Sequence, residues 1–214
     1  CGSMMRGIVE IRHGLAEPPG KSLSLALVQA NIPQSVKFDP GQKPMIVERY
    51  GMHTKALLAA KPDLIIWPET ATPEPMRYDA ESFALVTNLA VQGHAYLLTG
   101  TMDVTPFSNP PQWYNAAFLV RPDGTLQGPY RKTHLVPFGE YVPWRKVLPF
   151  MKWLTPISDS FERGQELTVF EAAGVRFATV ICFEDTIALL CRDFAQRDID
   201  FLVNVTNDAW FKQS

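Results

Sequence analysis

Apolar residues recur along this chain in short blocks whose spacing switches between the two-residue period of strands and the longer period of helices. Leu23 to Gln29 (Leu-Ser-Leu-Ala-Leu-Val-Gln) reads as a first strand, followed by a loop carrying Pro33, Pro40, Gly41 and Pro44. A helix is predicted over Met45 to Ala60, with Leu57 and Leu58 on its buried face. Leu64-Ile65-Ile66-Trp67 is a continuous apolar run, the pattern of a strand buried on both faces. A second helix is predicted over Ala80 to Gln92, stopped by Gly93. Tyr96 to Met102 is a strand, and Ala116 to Val120 and Thr125 to Gly128 flank the turn Arg121-Pro122-Asp123-Gly124.

Lys132 to Pro156 is rich in proline and aromatics and has no sustained period, so it is expected to be a long, apolar, functional loop. Beyond it a hairpin is predicted, Leu167 to Phe170 and Val175 to Ile181 joined around Gly174. Asp185 to Arg197 follows as a helix with Ile187, Leu190, Cys191 and Phe194 at helical spacing, and Phe201 to Val203 is the last strand. Strands and helices alternate with hairpins interposed, which defines an α/β layout with a mixed sheet. Cys1 to Lys21 is polar, with proline and glycine, and reads as a tag or linker ahead of one domain over residues 22–214.

Composition narrows the function classes. The net charge of −2 gives no basic surplus for nucleic acid. Three cysteines do not make a disulfide framework. Cys191, two turns into the helix after Cys182, puts the sulfurs roughly 9 Å apart, beyond disulfide reach. No apolar stretch approaches a membrane span. No group of His, Cys and Asp has zinc-ligand spacing, and neither metal nor cofactor is expected.

Three residues carry the candidate chemistry. Cys182 ends an apolar strand and precedes a helix, which places a nucleophile at the carboxyl edge of the sheet, where helix-terminal N–H groups favour a thiolate and can bind an oxyanion. Glu69 lies just past another buried strand, on the same edge. Burial there raises its pKa and suits it to be a general base. Lys132 supplies a cation that lowers the thiol pKa and stabilises a tetrahedral intermediate. Taken singly, each has an ordinary structural reading: buried cysteine, loop glutamate, surface lysine. His134 is expected to be a hydrogen-bonded structural histidine, and Cys191 a buried structural thiol.

Trp67-Pro68-Glu69, Lys132-Thr133-His134-Leu135-Val136-Pro137 and Cys182-Phe183-Glu184 together resemble the nitrilase superfamily, with its Glu-Lys-Cys triad, from about Leu25 to Phe211. Val28 to Gln34, Ile66 to Thr70, His134 to Pro143 and Asn207-Asp208-Ala209-Trp210-Phe211 resemble the apolipoprotein N-acyltransferase branch of that superfamily. The resemblance implies an α-β-β-α sandwich with mixed sheets, here incomplete at the C-terminus. It also implies a phospholipid acyl donor, a thioester on Cys182, and a diacylglyceryl-apolipoprotein acceptor. Glu69, Lys132 and Cys182 are then catalytic, Glu140 and Glu184 orient Lys132 and shape the pocket, and Phe183 is a further binding residue.

The same resemblance implies the bacterial inner membrane, reached through segments absent here, with the catalytic domain on the periplasmic face and this chain soluble by itself. The alternative is a soluble carbon–nitrogen hydrolase acting on a small amide. Phe38 and Phe183 replace a Trp and a Tyr expected in many members, and Lys212 replaces a Gly. The cluster Phe138, Tyr141, Trp144, Leu148, Phe150, Met151 and Trp153 suits either a lipid-facing arm or packed core.

Overall fold

A computed structural model describes residues 22–37, 39–136, 140 and 161–207. The N-terminal tag or linker, Phe38, the aromatic cluster from Phe138 to Trp153, Asp208 to Phe211 and Lys212 lie outside the described residues.

Among the described residues, eight strands form two mixed sheets. The first contains β1 (Leu25–Leu27), β2 (Leu64–Ile66), β3 (Tyr96–Thr105), β4 (Gln112–Val120) and β5 (Leu126–Arg131), in that spatial order. β1, β2 and β3 run parallel, and β3, β4 and β5 form an antiparallel meander. The parallel pairs are joined through helices: α1 (Gln34–Lys37) and α2 (Lys43–Leu58) before β2, and α3 (Ala80–Gly93) before β3. The second sheet has the order β6 (Val169–Ala172), β7 (Val175–Ile181), β8 (Phe201–Val205), with β6 antiparallel and β8 parallel to β7. A 3-10 turn (Cys182–Thr186) and α4 (Ala188–Ala195) connect β7 to β8.

Strand alternation sorts the first sheet into two faces. Ile65, Trp67, Leu97, Ala116, Phe118 and Val120 pack with Ile46, Tyr50, Val86 and Leu89 of α2 and α3. Leu64, Ile66, Leu98, Ala117, Leu119 and Tyr130 pack instead with Phe170, Phe177, Ile181 and Val205 of the second sheet. The described layers are therefore helix, sheet, sheet. Leu190 and Phe194 of α4 join the second core, Phe194 edge-on to Tyr130 at 5.7 Å.

Several sequence expectations shift. Leu57 and Leu58 are only partly buried; the inner face of α2 is Ile46, Tyr50, Gly51 and Thr54. Gly93 is the last helical residue of α3, and His94 takes the left-handed cap with φ 48. A Cβ at Gly93 would come within 2.7 Å of Leu58 Cδ2, the tip of a flexible, partly buried side chain. β3, β4 and β8 extend past their apolar cores, since ladder pairing continues through polar residues. The predicted helix over Asp185 to Arg197 begins later, at Ala188, after the 3-10 turn. The β6–β7 hairpin closes through Ala173 (φ 51) and Gly174 (φ 76), the two left-handed residues a tight hairpin turn demands.

Candidate active site

The ends of β2, β7 and β8 and the start of the loop after β5 bring the predicted residues together. Trp67 is fully buried, its ring 4.7 Å from Tyr50 and its Nε1 donating to Thr54 Oγ1 at 3.0 Å. That anchor fixes the chain just before Pro68 and Glu69. The next peptides press against β3 so closely that a Cβ at Gly100 would lie 2.6 Å from Pro68 O and 2.7 Å from Glu69 Cα. Ala71 N–H donates to Gly100 O at 2.8 Å, and Thr70 sits at φ 47. Glu69 is thus held by backbone on one side and by Lys37 on the other, whose Nζ donates to Glu69 O at 2.9 Å.

Lys132 is held the same way. Its N–H donates to Asn115 O and its carbonyl accepts from Gly164 N–H, both at 2.8 Å. Its side chain is buried, with Nζ 2.8 Å from Glu140 Oε1 and 3.9 Å from Glu69 Oε1. Asn115 Nδ2 bridges the two acids, 2.7 Å from Glu69 Oε1 and 2.9 Å from Glu140 Oε1. Glu140 Oε2 accepts from Val136 N–H at 2.9 Å, and Glu69 Oε2 accepts from Asn207 N–H at 3.1 Å. Two carboxylates and the Lys132 ammonium form a compact buried network, and the Lys37 ammonium also acts on Glu69 from the other side.

Cys182 follows β7 in a left-handed conformation, φ 56, which a residue with a Cβ adopts only under local constraint. Glu184 supplies that constraint. Its fully buried carboxylate accepts from Ile181 N–H, Thr133 N–H and His134 N–H, and from the hydroxyls of Tyr130 and Thr133, all between 2.9 and 3.0 Å. It therefore ties the Cys182 turn to the loop of Lys132. Phe183 is half-buried, with Lys132 Nζ 5.3 Å from its ring centroid, a cation–π contact. His134 bonds Thr133 and Glu184, and its side chain is nearly half exposed.

Burial raises the Glu69 pKa; the nearby Lys132 and the Asn115 hydrogen bond oppose the rise without cancelling it. Burial also raises the Cys182 pKa, and the Glu69 carboxylate raises it further. Lys132 and a local N–H act on the thiol in the expected downward direction, yet the net shift is upward. Lys132, Thr206 and the Phe183 N–H do favour the thiolate, but desolvation and Glu69 outweigh them. The resting sulfur is a thiol beside a carboxylate of raised basicity, a pairing suited to proton transfer during reaction. Cys182 and Cys191 are both free, and Cys191 is half-buried rather than fully enclosed.

Asn115 and Lys37 were not singled out from the sequence. Asn115 is the one side-chain amide in the buried part of β4, Tyr114 to Val120, a signal the sequence carries. Lys37 is 6% exposed and its pKa is lowered to about 8, chiefly by burial. It borders a cavity of about 500 Å³ whose wall includes Trp67, Pro68, Thr206 and Asn207 but not Cys182. Among the described residues no cluster of His, Cys, Asp and Glu could hold a metal.

This arrangement of two mixed sheets is the carbon–nitrogen hydrolase fold. It matches a carbon-nitrogen hydrolase from Helicobacter pylori with TM-score 0.62 at 16% identity, over 86% of this chain and 59% of that one. It matches a CN-hydrolase superfamily protein from Xanthomonas campestris with TM-score 0.65 at 24% identity, over 88% and 66%. The sequence matches the carbon-nitrogen hydrolase family over residues 24–214, and the chain belongs to that family. Within it, the chain is 34% identical to the apolipoprotein N-acyltransferase of Geobacter metallireducens over 196 residues, 91% of this chain and 38% of that protein. It is 37% identical to the apolipoprotein N-acyltransferase of Azotobacter vinelandii over 206 residues, 94% and 39%. The chain spans under half the length of these curated relatives.

Proposed function

We propose that this domain transfers a fatty acyl group from a phospholipid, through a thioester on Cys182, to the α-amino group of an apolipoprotein's N-terminal diacylglyceryl-cysteine. The observation that carries the reading is the buried Glu69–Lys132 pair, 3.9 Å apart, whose charges both act on Cys182. The similarity to apolipoprotein N-acyltransferases supplies the substrates.

Glu69 takes the Cys182 proton as sulfur attacks the donor's ester carbonyl. Lys132 Nζ and a backbone N–H near Cys182 hold the resulting oxyanion. Collapse breaks the ester C–O bond, and the lysophospholipid leaves with the proton held by Glu69. The acceptor amine then attacks the thioester, Glu69 takes its proton, and the C–S bond breaks to return the thiol. Glu140 keeps Lys132 in place and Glu184 fixes the turn. Phe183 borders the ammonium. Among the described residues no helix is long and apolar enough to cross a membrane. The bacterial inner membrane, with this domain on its periplasmic face, is part of the proposal.

Incubation with phospholipid in mixed micelles, followed by peptide mass spectrometry, tests the reading. A hydroxylamine-labile acyl adduct on Cys182, absent in Cys182→Ser, is expected. Turnover of short amides with no acyl adduct from lipid would instead favour a carbon–nitrogen hydrolase using the same three residues.

A further inference from the structure

The hairpin joining β3 to β4 runs on past the reactive cluster. β3 is parallel to β2, and Gly100 lies level with Glu69, just beyond the carboxyl end of β2. β3 continues from Gly100 to Thr105, and its ladder with β4 holds as far as the Thr105–Gln112 pair. At about 3.4 Å per residue, that ribbon carries its tip roughly 17 Å beyond Glu69 along the strand.

The tip runs Pro106-Phe107-Ser108-Asn109-Pro110-Pro111, and Phe107 is 100% exposed. Behind it, exposed Tyr78 and half-buried Trp113 line one hollow with Pro106 and Pro111. The charged residues that border this hollow, Lys43, Glu74 and Asp79, lie outside the hairpin. From Val104 to Val120 the sequence holds no Asp, Glu, Lys, Arg or His. Several polar groups bond within the hairpin. Ser108 N–H and Oγ–H both donate to Thr105 O, at 3.3 and 2.8 Å, and Tyr114 O–H donates to Gln112 Oε1 at 3.0 Å. Pro106, Pro110 and Pro111 have no N–H to satisfy. A protein partner rewards exposed donors and acceptors, whereas a bilayer penalises them.

We infer that the Pro106–Pro111 tip inserts into the surface of a lipid bilayer, with Phe107 deepest and Tyr78 and Trp113 at the headgroup level. Tyr and Trp suit that level because each joins an apolar ring to a polar group that stays wet. An uncharged tip passes the headgroups with no ion to desolvate. Contact there brings the edge that carries Glu69 and Cys182 towards the membrane holding an insoluble acyl donor. The choice of a bilayer as the partner rests in part on the acyl-transfer reading.

Co-sedimentation of the 214-residue chain with phosphatidylcholine vesicles tests the inference. Binding that saturates with lipid and resists salt is expected, as an uncharged contact requires. Phe107→Ser should lower the partition coefficient by about tenfold or more, the scale of withdrawing one phenyl ring from an apolar phase. Phe107→Trp should restore it. A denaturation curve matching the wild type shows that each variant is folded. If binding depends on Phe107 but phospholipid leaves no acyl adduct on Cys182, the contact stands and the acyl-transfer reading fails. No binding to phosphatidylcholine vesicles, equal binding by Phe107→Ser, or binding confined to phosphatidylglycerol vesicles and abolished by salt would overturn the inference. Self-association that Phe107→Ser abolishes, with no vesicle binding, would overturn it in favour of a second copy of the chain.

Discussion

Lys132 is bonded to Glu140, at 2.8 Å, and only approaches Glu69, at 3.9 Å. A lysine paired tightly with the base would quench it. Here the ammonium is neutralised by a second acid, and Asn115 holds both carboxylates through one nitrogen. Glu140→Gln removes that second charge, so Lys132 is expected to swing onto Glu69. Cys182 acylation should slow by about 10² or more, the scale of losing a positioned electrostatic group. Single-turnover acylation with a parallel denaturation curve checks that the loss is catalytic rather than structural.

The raised pKa values predict a distinctive pH dependence. A carboxyl shifted upward is protonated, and useless as a base, through the ordinary carboxylate range. The acid limb of acylation should therefore lie above that range. Glu69→Gln should cost most near neutral pH, where the thiol needs a base. Its defect should narrow as pH rises through the raised pKa of Cys182, where sulfur ionises unaided. A pH series of Cys182 alkylation in both proteins measures this.

Lys37 should make stability depend on pH. The unfolded lysine takes up its proton below about 10.5, the folded one only below about 8. Stability is then lost as pH falls from the first value to the second and stays level below. The full cost is about 3 kcal/mol at one pKa unit per 1.36 kcal/mol. Relative to Lys37→Met, the wild-type protein should gain stability between pH 8 and 10.5 in urea denaturation.

Gly100→Ala tests how Glu69 is placed. The new Cβ would meet backbone rather than a pliable side chain. A loss of about 1–3 kcal/mol is expected from overpacking. The displaced Glu69 should also lower Cys182 acylation well below what reduced stability explains, by comparison at a temperature where both proteins are folded.

Much of this was legible in the chain. Leu64 to Trp67 and Val175 to Ile181 read as buried strands because burial on both faces demands continuous apolar runs. The sequence places Glu69 and Cys182 each just past the carboxyl end of its strand; the single shared sheet expected for them is in fact two sheets packed face to face. Other features depend on tertiary neighbours. Lys37 looks like a surface charge in sequence; only the fold shows it buried and bonded. The net direction of the thiol shift balances Lys132 against desolvation and Glu69, a sum over tertiary neighbours that no local stretch of sequence encodes. Gly93 reads as a helix stop by propensity and is the last helical residue, while the left-handed cap falls on His94, which carries no such propensity signal.

The central claim is that Glu69 and Lys132 activate Cys182. The most direct measurement is the burst of p-nitrophenolate on mixing the protein with a p-nitrophenyl acyl ester, with the acylated peptide identified by mass spectrometry. The account predicts a stoichiometric burst, acylation of Cys182 and not of Cys191, and loss of the burst in both Glu69→Gln and Lys132→Met. Equal acylation of Cys182 and Cys191, or a burst that survives both substitutions, would contradict it.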